Sequence, residues 1–200
     1  MPLGKRRILS GASWVSWVST YAPTSKEIKD LTGSFRTGVT EFKKALENAV
    51  PKGAVVDVSH TYRSDQAAYL WHWAWKIANR NIQPKDAKPY AFNGRPVPEI
   101  EWDHGKLHAS IRAAEDMVKG FKLTKNSRFA PSLTTRHRDR LAIDMDITWT
   151  GTIWVKKKDG TLVKLTYGPI NANKPLHDVG ASYGVKKLLD DAPHWSDNGK

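Results

Sequence analysis

The chain has 200 residues, no cysteine and a formal net charge of +12; it is long enough to bury a core without staples. The missing cysteine excludes disulfides, thiolate nucleophiles, iron–sulfur clusters and Cys-type zinc sites. The positive balance attracts polyanions (nucleic acid, anionic membranes or carboxylate-rich cell walls), and charge alone does not rank them; the lysines and arginines are scattered rather than gathered in one tail, which disfavours a nucleic-acid-binding arm.

The N-terminal order "GKRR", "ILSGASWVSWV", "STYA" imitates a secretory signal, but serine, glycine and tryptophan break its short apolar part. No convincing signal peptide is therefore expected, and no run approaches the length of a membrane span. "SKEIKDL" predicts a short helix with Ser25 as its N-cap. Phe35, Val39, Phe42, Leu46 and Ala49 fall on one face of a second helix, which "PKG" stops. Ala54 to Ser59 reads as a β-branched strand. Asp65 to about Asn79 reads as a helix with Leu70, Trp73, Ala74 and Ile77 as its core stripe. From Ile82 to His104 the chain is rich in proline and polar residues, a long excursion of the kind that shapes binding sites. "KLHASIRAAEDMVKGF" predicts another helix. "LAIDMDITW" alternates as a strand, with Leu141, Ile143, Met145 and Ile147 on one side and Ala142, Asp144, Asp146 and Thr148 on the other. A hairpin turning at Asp159-Gly160 follows. "HDVGASYGVKKLL" predicts a last helix, and "PHWS" a short strand or turn. Helices and strands without a βαβ rhythm predict an α+β fold with a small antiparallel sheet flanked by helices.

Three segments hold candidate chemistry. In "TRHRDRLAID", His137 stands just before the alternating strand and Asp144 within it. Aspartate is a poor strand former and costly to bury without a partner. Either the Asp144 face is wet, or a cation relieves the cost. In "DDAPHW", Asp191 and His194 stand three apart, a spacing that sets a carboxylate beside a metal-bound imidazole; read blandly, it is a charged helix end and a surface histidine. In "TYRSDQ", Arg63 stands at a helix entry, where a guanidinium can hold a carboxylate or an oxyanion, or merely cap loop carbonyls.

Taken in order, "TYRSDQ", "TRHRDRLAID" and "DAPHW" resemble the zinc peptidases of the D-alanyl-D-alanine carboxypeptidase, D-Ala-D-Ala dipeptidase and phage L-alanyl-D-glutamate endopeptidase group. That group is allied in fold to lysostaphin-type enzymes and the hedgehog signalling domain. Its pattern is a YRS-like segment followed by Gln, then Ser-x-His-x-x-Gly-x-Ala-x-Asp, then Glu/Asp-x-x-His-Trp. The resemblance runs from about Phe35 to Ser196. It implies a single hedgehog- or peptidase-like domain over 1–200, with 1–34 as an extension packing on it. It implies that His137, Asp144 and His194 bind Zn2+, that Asp191 is the general base, and that Arg63 polarises the scissile carbonyl. Tyr62, Ser64 and Gln66 would shape the site. Two departures stand out: Thr135 replaces the serine, and Arg140 replaces the glycine, where it could bend the loop or read an acidic substrate group.

The function so implied is a zinc-dependent hydrolase of peptidoglycan stem peptides, with L-Ala-D-Glu endopeptidase favoured over D,D-carboxypeptidase. It would act on the cell wall or in the periplasm, as a phage-type lysin released through a holin or as an antibacterial effector delivered by a secretion machine. An effector would have an immunity protein as partner. No membrane anchor and no nucleic acid are expected. The competing readings are a non-catalytic zinc-binding module of the same fold, against which Asp191 and Arg63 argue, and a basic nucleic-acid-binding protein, which has only charge to support it.

Overall fold

The computed structural model describes residues 9–88, 99–125 and 127–200. In chain order the elements are α1 (Ala12–Tyr21), β1 (Thr24–Ser25), α2 (Gly33–Glu47), β2 (Val55–His60), β3 (Tyr62–Arg63), α3 (Asp65–Ala78) and α4 (Leu107–Gly120). They continue with β4 (Ala142–Thr148), β5 (Thr152–Lys156), β6 (Leu162–Thr166), α5 (Lys174–Ser182), β7 (Lys186–Lys187) and β8 (His194–Ser196). This is a mixed α+β chain whose sheets are all small and antiparallel. No described helix is long and apolar enough to cross a membrane. Two compact units divide it. Described residues of Met1–Pro23 and Ser64–Thr134 form one; Thr24–Arg63 and Thr135–Lys200 form the other.

The first unit is helical. Ser64 caps α3 by accepting the Ala67 N–H, and Asp65 sits in the first turn, where a negative charge suits the helix dipole. The expected stripe of α3, Trp73 included, is buried, and Trp71 and Trp75 are buried with it. Rings this large bury most cheaply when the indole N–H finds an acceptor. Trp14 donates to the Leu9 carbonyl at 2.9 Å, and Trp75 to the Thr124 carbonyl at 3.1 Å. Gly120 lets α4 approach α1, because a Cβ there would strike Val15. Residues 89–98 of the expected excursion lie outside the described residues; its earlier part makes a single 3-10 turn, Pro84–Asp86.

The second unit is a four-stranded antiparallel sheet in the order β2-β4-β8-β7, with a β5-β6 hairpin and the small pair β1-β3. Phe42, Leu46, Ile143, Met145, Ile147 and Trp195 are among its fully buried core residues. The β4 alternation holds on the apolar side. The other side is split, with Ala142 and Asp144 buried and Asp146 and Thr148 exposed. Gly38 lets α2 pass the Tyr183 carbonyl, which a Cβ would strike. The hairpin turns where expected, with Gly160 left-handed at φ 89° and Asp159 accepting the Thr161 N–H.

Two expectations are corrected. Ser25 is not a helix N-cap. It lies in β1, opposite Tyr62 in β3, and its hydroxyl accepts the Glu27 N–H and donates to Asp30, leaving only a 3-10 turn at Ile28–Asp30. The last helix is shorter than the sequence suggests. Gly184 turns left-handed at φ 78°, the Val185 N–H returns to the Gly180 carbonyl at 3.0 Å, and residues 186–187 become β7.

Candidate metal centre

The centre is built on the second unit's sheet. Asp144 in β4 stands directly opposite His194 in β8 on one side and His60 in β2 on the other. His137 comes from the turn before β4. That turn is wound by the Arg138 N–H to the Thr135 carbonyl at 3.2 Å, the Arg140 N–H to the His137 carbonyl at 3.2 Å, and the Leu141 N–H to the Arg136 carbonyl at 3.0 Å. The Thr135 hydroxyl accepts the His137 N–H at 3.3 Å, so threonine performs the turn-capping a serine could. Arg136 ties the turn to the end of β8 through both oxygens of Asp197, at 2.9 and 2.5 Å.

Arg140 has φ 61°, the left-handed region that favours glycine. The implied pattern has glycine at this position, and the backbone gives the reason. Arginine there costs about 1–2 kcal/mol. Three contacts offset it. The guanidinium lies 4.0 Å over the Tyr62 ring, donates to the Asp30 carbonyl at 2.9 Å, and the Arg140 carbonyl accepts the Thr32 N–H at 3.2 Å.

His137, Asp144 and His194 converge and are all buried. His137 Nε2 is 3.1 Å from Asp144 Oδ1 and 3.2 Å from His194 Nδ1, and His194 Nδ1 is 3.1 Å from Asp144 Oδ1. The three atoms form a near-equilateral triangle. Its edges are close to the roughly 3.3 Å between neighbouring ligands of a tetrahedral ion with bonds of about 2.0–2.1 Å. The Lys200 carbonyl can only accept, so His194 Nε2 donates to it at 3.3 Å, and Nδ1 is the nitrogen that faces the triangle. Burial pushes His137 below its usual pKa, although Asp144 opposes this, so its ring is neutral near pH 7. A cation among Asp144 Oδ1, His137 Nε2 and His194 Nδ1 would take all three atoms as ligands at once. Burial works against the Asp144 carboxylate, yet the two histidines beside it hold its pKa well below the usual range. The group can therefore hold a metal ion through two imidazoles and one carboxylate, and the wet-face reading of Asp144 fails on burial.

Around the triangle stand four further groups. His60 Nδ1 is 3.7 Å from Asp144 Oδ2; burial and Arg63 lower its pKa, so it is neutral. Arg63 is buried, its N–H meets the His137 carbonyl at 3.5 Å, and burial pushes its guanidinium below the usual value while Asp144 and Asp191 pull it back. Asp191 is exposed, in the turn between β7 and β8. Lys187 is buried, and its ammonium donates to the carbonyls of Leu188, Asp191 and His194, the last at 3.1 Å. Burial lowers Lys187 to about 8, against the pull of Asp191 and Asp144. The ammonium thus holds the turn carrying both Asp191 and His194.

Of the expected site residues, the second unit brings together His137, Asp144, His194, Arg63 and Asp191, with Tyr62 stacked under Arg140. Ser64 is the α3 cap and Gln66 lies half-buried in that helix's first turn, both in the first unit. Sequence reasoning missed His60 and Lys187. His60 ends a strand whose register with Asp144 no spacing reveals. Lys187 stands in "VKKLLDD", which reads as solvated charge. No family model, no curated protein and no solved structure matches the chain.

Proposed function

We propose that the chain is a zinc-dependent peptidase of peptidoglycan stem peptides, with the hedgehog- or peptidase-like fold that its motifs resemble. The observation that carries this reading is the buried His137–Asp144–His194 triangle, flanked by a guanidinium and an exposed carboxylate. Two imidazoles and one carboxylate are the ligand set of hydrolytic zinc sites, which keep a further position for water. When bound, zinc supplies Lewis acidity, polarising a carbonyl and lowering the pKa of water from about 15.7 to about 7.

The chain's own residues do the rest. Asp191 takes a proton from the attacking water as its oxygen bonds to the amide carbonyl carbon. Arg63 meets the negative charge that develops on the carbonyl oxygen. Asp191 returns the proton to the leaving nitrogen as the C–N bond breaks, giving a carboxylate and an amine. The net charge of +12 suits adsorption to a carboxylate-rich wall. L-Ala-D-Glu endopeptidase is favoured over D,D-carboxypeptidase, in a phage-type lysin or a delivered antibacterial effector with an immunity protein as partner.

Mass spectrometry of purified peptidoglycan after digestion tests this, with and without chelator, for the wild type and Asp144→Ala. Chelator-sensitive stem-peptide fragments, absent with the variant, are expected. No new fragments from zinc-loaded wild type overturn the enzymatic reading.

A further inference from the structure

The edge of β4 carries an inference that rests on, and deepens, the peptidase reading. Residues of an antiparallel strand turn their N–H and C=O alternately to the two neighbouring strands. In β4 the odd positions turn toward β8: the Met145 N–H reaches the Pro193 carbonyl at 2.8 Å, and the Leu141 carbonyl accepts the Asp197 N–H at 3.1 Å. Ile147 follows the same alternation. β8, however, covers only 142–144 of β4 by register. Beyond Pro193 the chain leaves the sheet for the turn that bears Asp191. Proline has no N–H, so position 193 returns no donor to the Met145 carbonyl. The Met145 carbonyl and the Ile147 N–H and carbonyl thus face a lane that β8 has left.

That lane is a cavity. Its volume is about 390 Å³, and residues 145–148 of β4 face residues 167–170 and Ala192 across it. The size falls within the ~300–1,000 Å³ typical of ligand sites. Its lining is continuous with the candidate centre: Asp146 is two residues from Asp144, and Ala192 adjoins Asp191.

We propose that this lane is the peptide-binding groove, where an extended substrate backbone adds to β4 as a further strand through the Ile147 N–H and C=O. Main-chain pairing to a sheet edge is sequence-tolerant, and the walls read the side chains. The occupant is a peptide because the exposed groups are one donor and two acceptors at strand spacing. One end of such a strand abuts the turn holding Asp191 and His194, where the scissile amide is needed.

Amide hydrogen exchange by NMR, on zinc-loaded Asp191→Asn with the synthetic stem tetrapeptide L-Ala-γ-D-Glu-L-Lys-D-Ala as probe, tests the lane. Slowed exchange at Ile147, with shifts at Thr148 and Tyr167, is expected. A second variant, Gly168→Phe, adds bulk to the wall at a position where a Cβ meets nothing within 4 Å. It should weaken the tetrapeptide at least roughly tenfold and raise KM, with zinc content unchanged. Cleavage by the wild type without protection of Ile147 overturns the lane and leaves the peptidase standing. Protection of Ile147 without cleavage by the wild type supports the lane and removes the peptidase. Neither binding nor protection overturns the lane.

Discussion

The two units bury different things. Among the described residues, the helical unit buries the polar Ser10, Ser64, Asp65 and Ser110, whereas the sheet unit buries Arg63, His137, Asp144, Lys187 and His194 besides Thr61 and Ser196. The helical unit fills its interior with indoles, of which Trp14, Trp75 and Trp102 give their N–H to nearby acceptors, an arrangement that contributes stability through apolar area. In the sheet unit four basic groups and one carboxylate are buried, which costs desolvation that apolar packing does not offset. The clustered buried ionisable groups lie in the sheet unit, and most of the buried indoles lie in the helical one.

Substitutions can break that contrast. The largest expected effect is on the helical side. Leu70 is fully buried in α3, so Leu70→Ala should cost about 2–5 kcal/mol in denaturant unfolding and leave zinc affinity unchanged once folded. A loss of zinc affinity matching the loss of stability would blur the division.

Lys187→Met sharpens it from the other side. Each carbonyl that Lys187 holds also accepts a backbone N–H: Leu188 from Asp191, Asp191 from His194, and His194 from Leu188. None is orphaned by the change, and a buried charge is removed. Unfolding free energy should move by no more than about 1 kcal/mol, while zinc affinity by chelator competition falls roughly 10–100-fold. Equal affinity in the variant would deny Lys187 its hold on the turn.

Arg140→Gly should have the smallest effect. Relief of the left-handed arginine, about 1–2 kcal/mol, is set against loss of the Tyr62 stacking, about 0.5–1 kcal/mol, and of a hydrogen bond worth about 1 kcal/mol. Thermal unfolding should shift little, with hydrolysis retained. A large rise in KM would instead show that Arg140 reads the substrate.

The sequence made local order legible. Repeats of apolar residues gave α2, α3 and the buried side of β4, and the Asp159-Gly160 turn placed the hairpin. The trio that can hold a metal ion could be named because its residues lie in short motifs. Pairings across the chain could not be read. Nothing near Ser25 tells that its backbone joins Tyr62, and nothing near His60 tells that it meets Asp144. The long helix expected from His177 stops where Gly184 turns left-handed and Val185, whose N–H returns to the Gly180 carbonyl, is buried. Each unit is made of two stretches separated in sequence, and that assembly depends on contacts between distant segments that no local period records.

Metal stoichiometry tests the central claim most directly. Wild type, Asp144→Ala and His194→Ala are each loaded with zinc, dialysed exhaustively, checked for folding by circular dichroism and analysed for metal content. The account predicts one equivalent of zinc in the wild type and none in either folded variant. A folded wild type that retains no zinc, or variants that retain as much as it does, would contradict it.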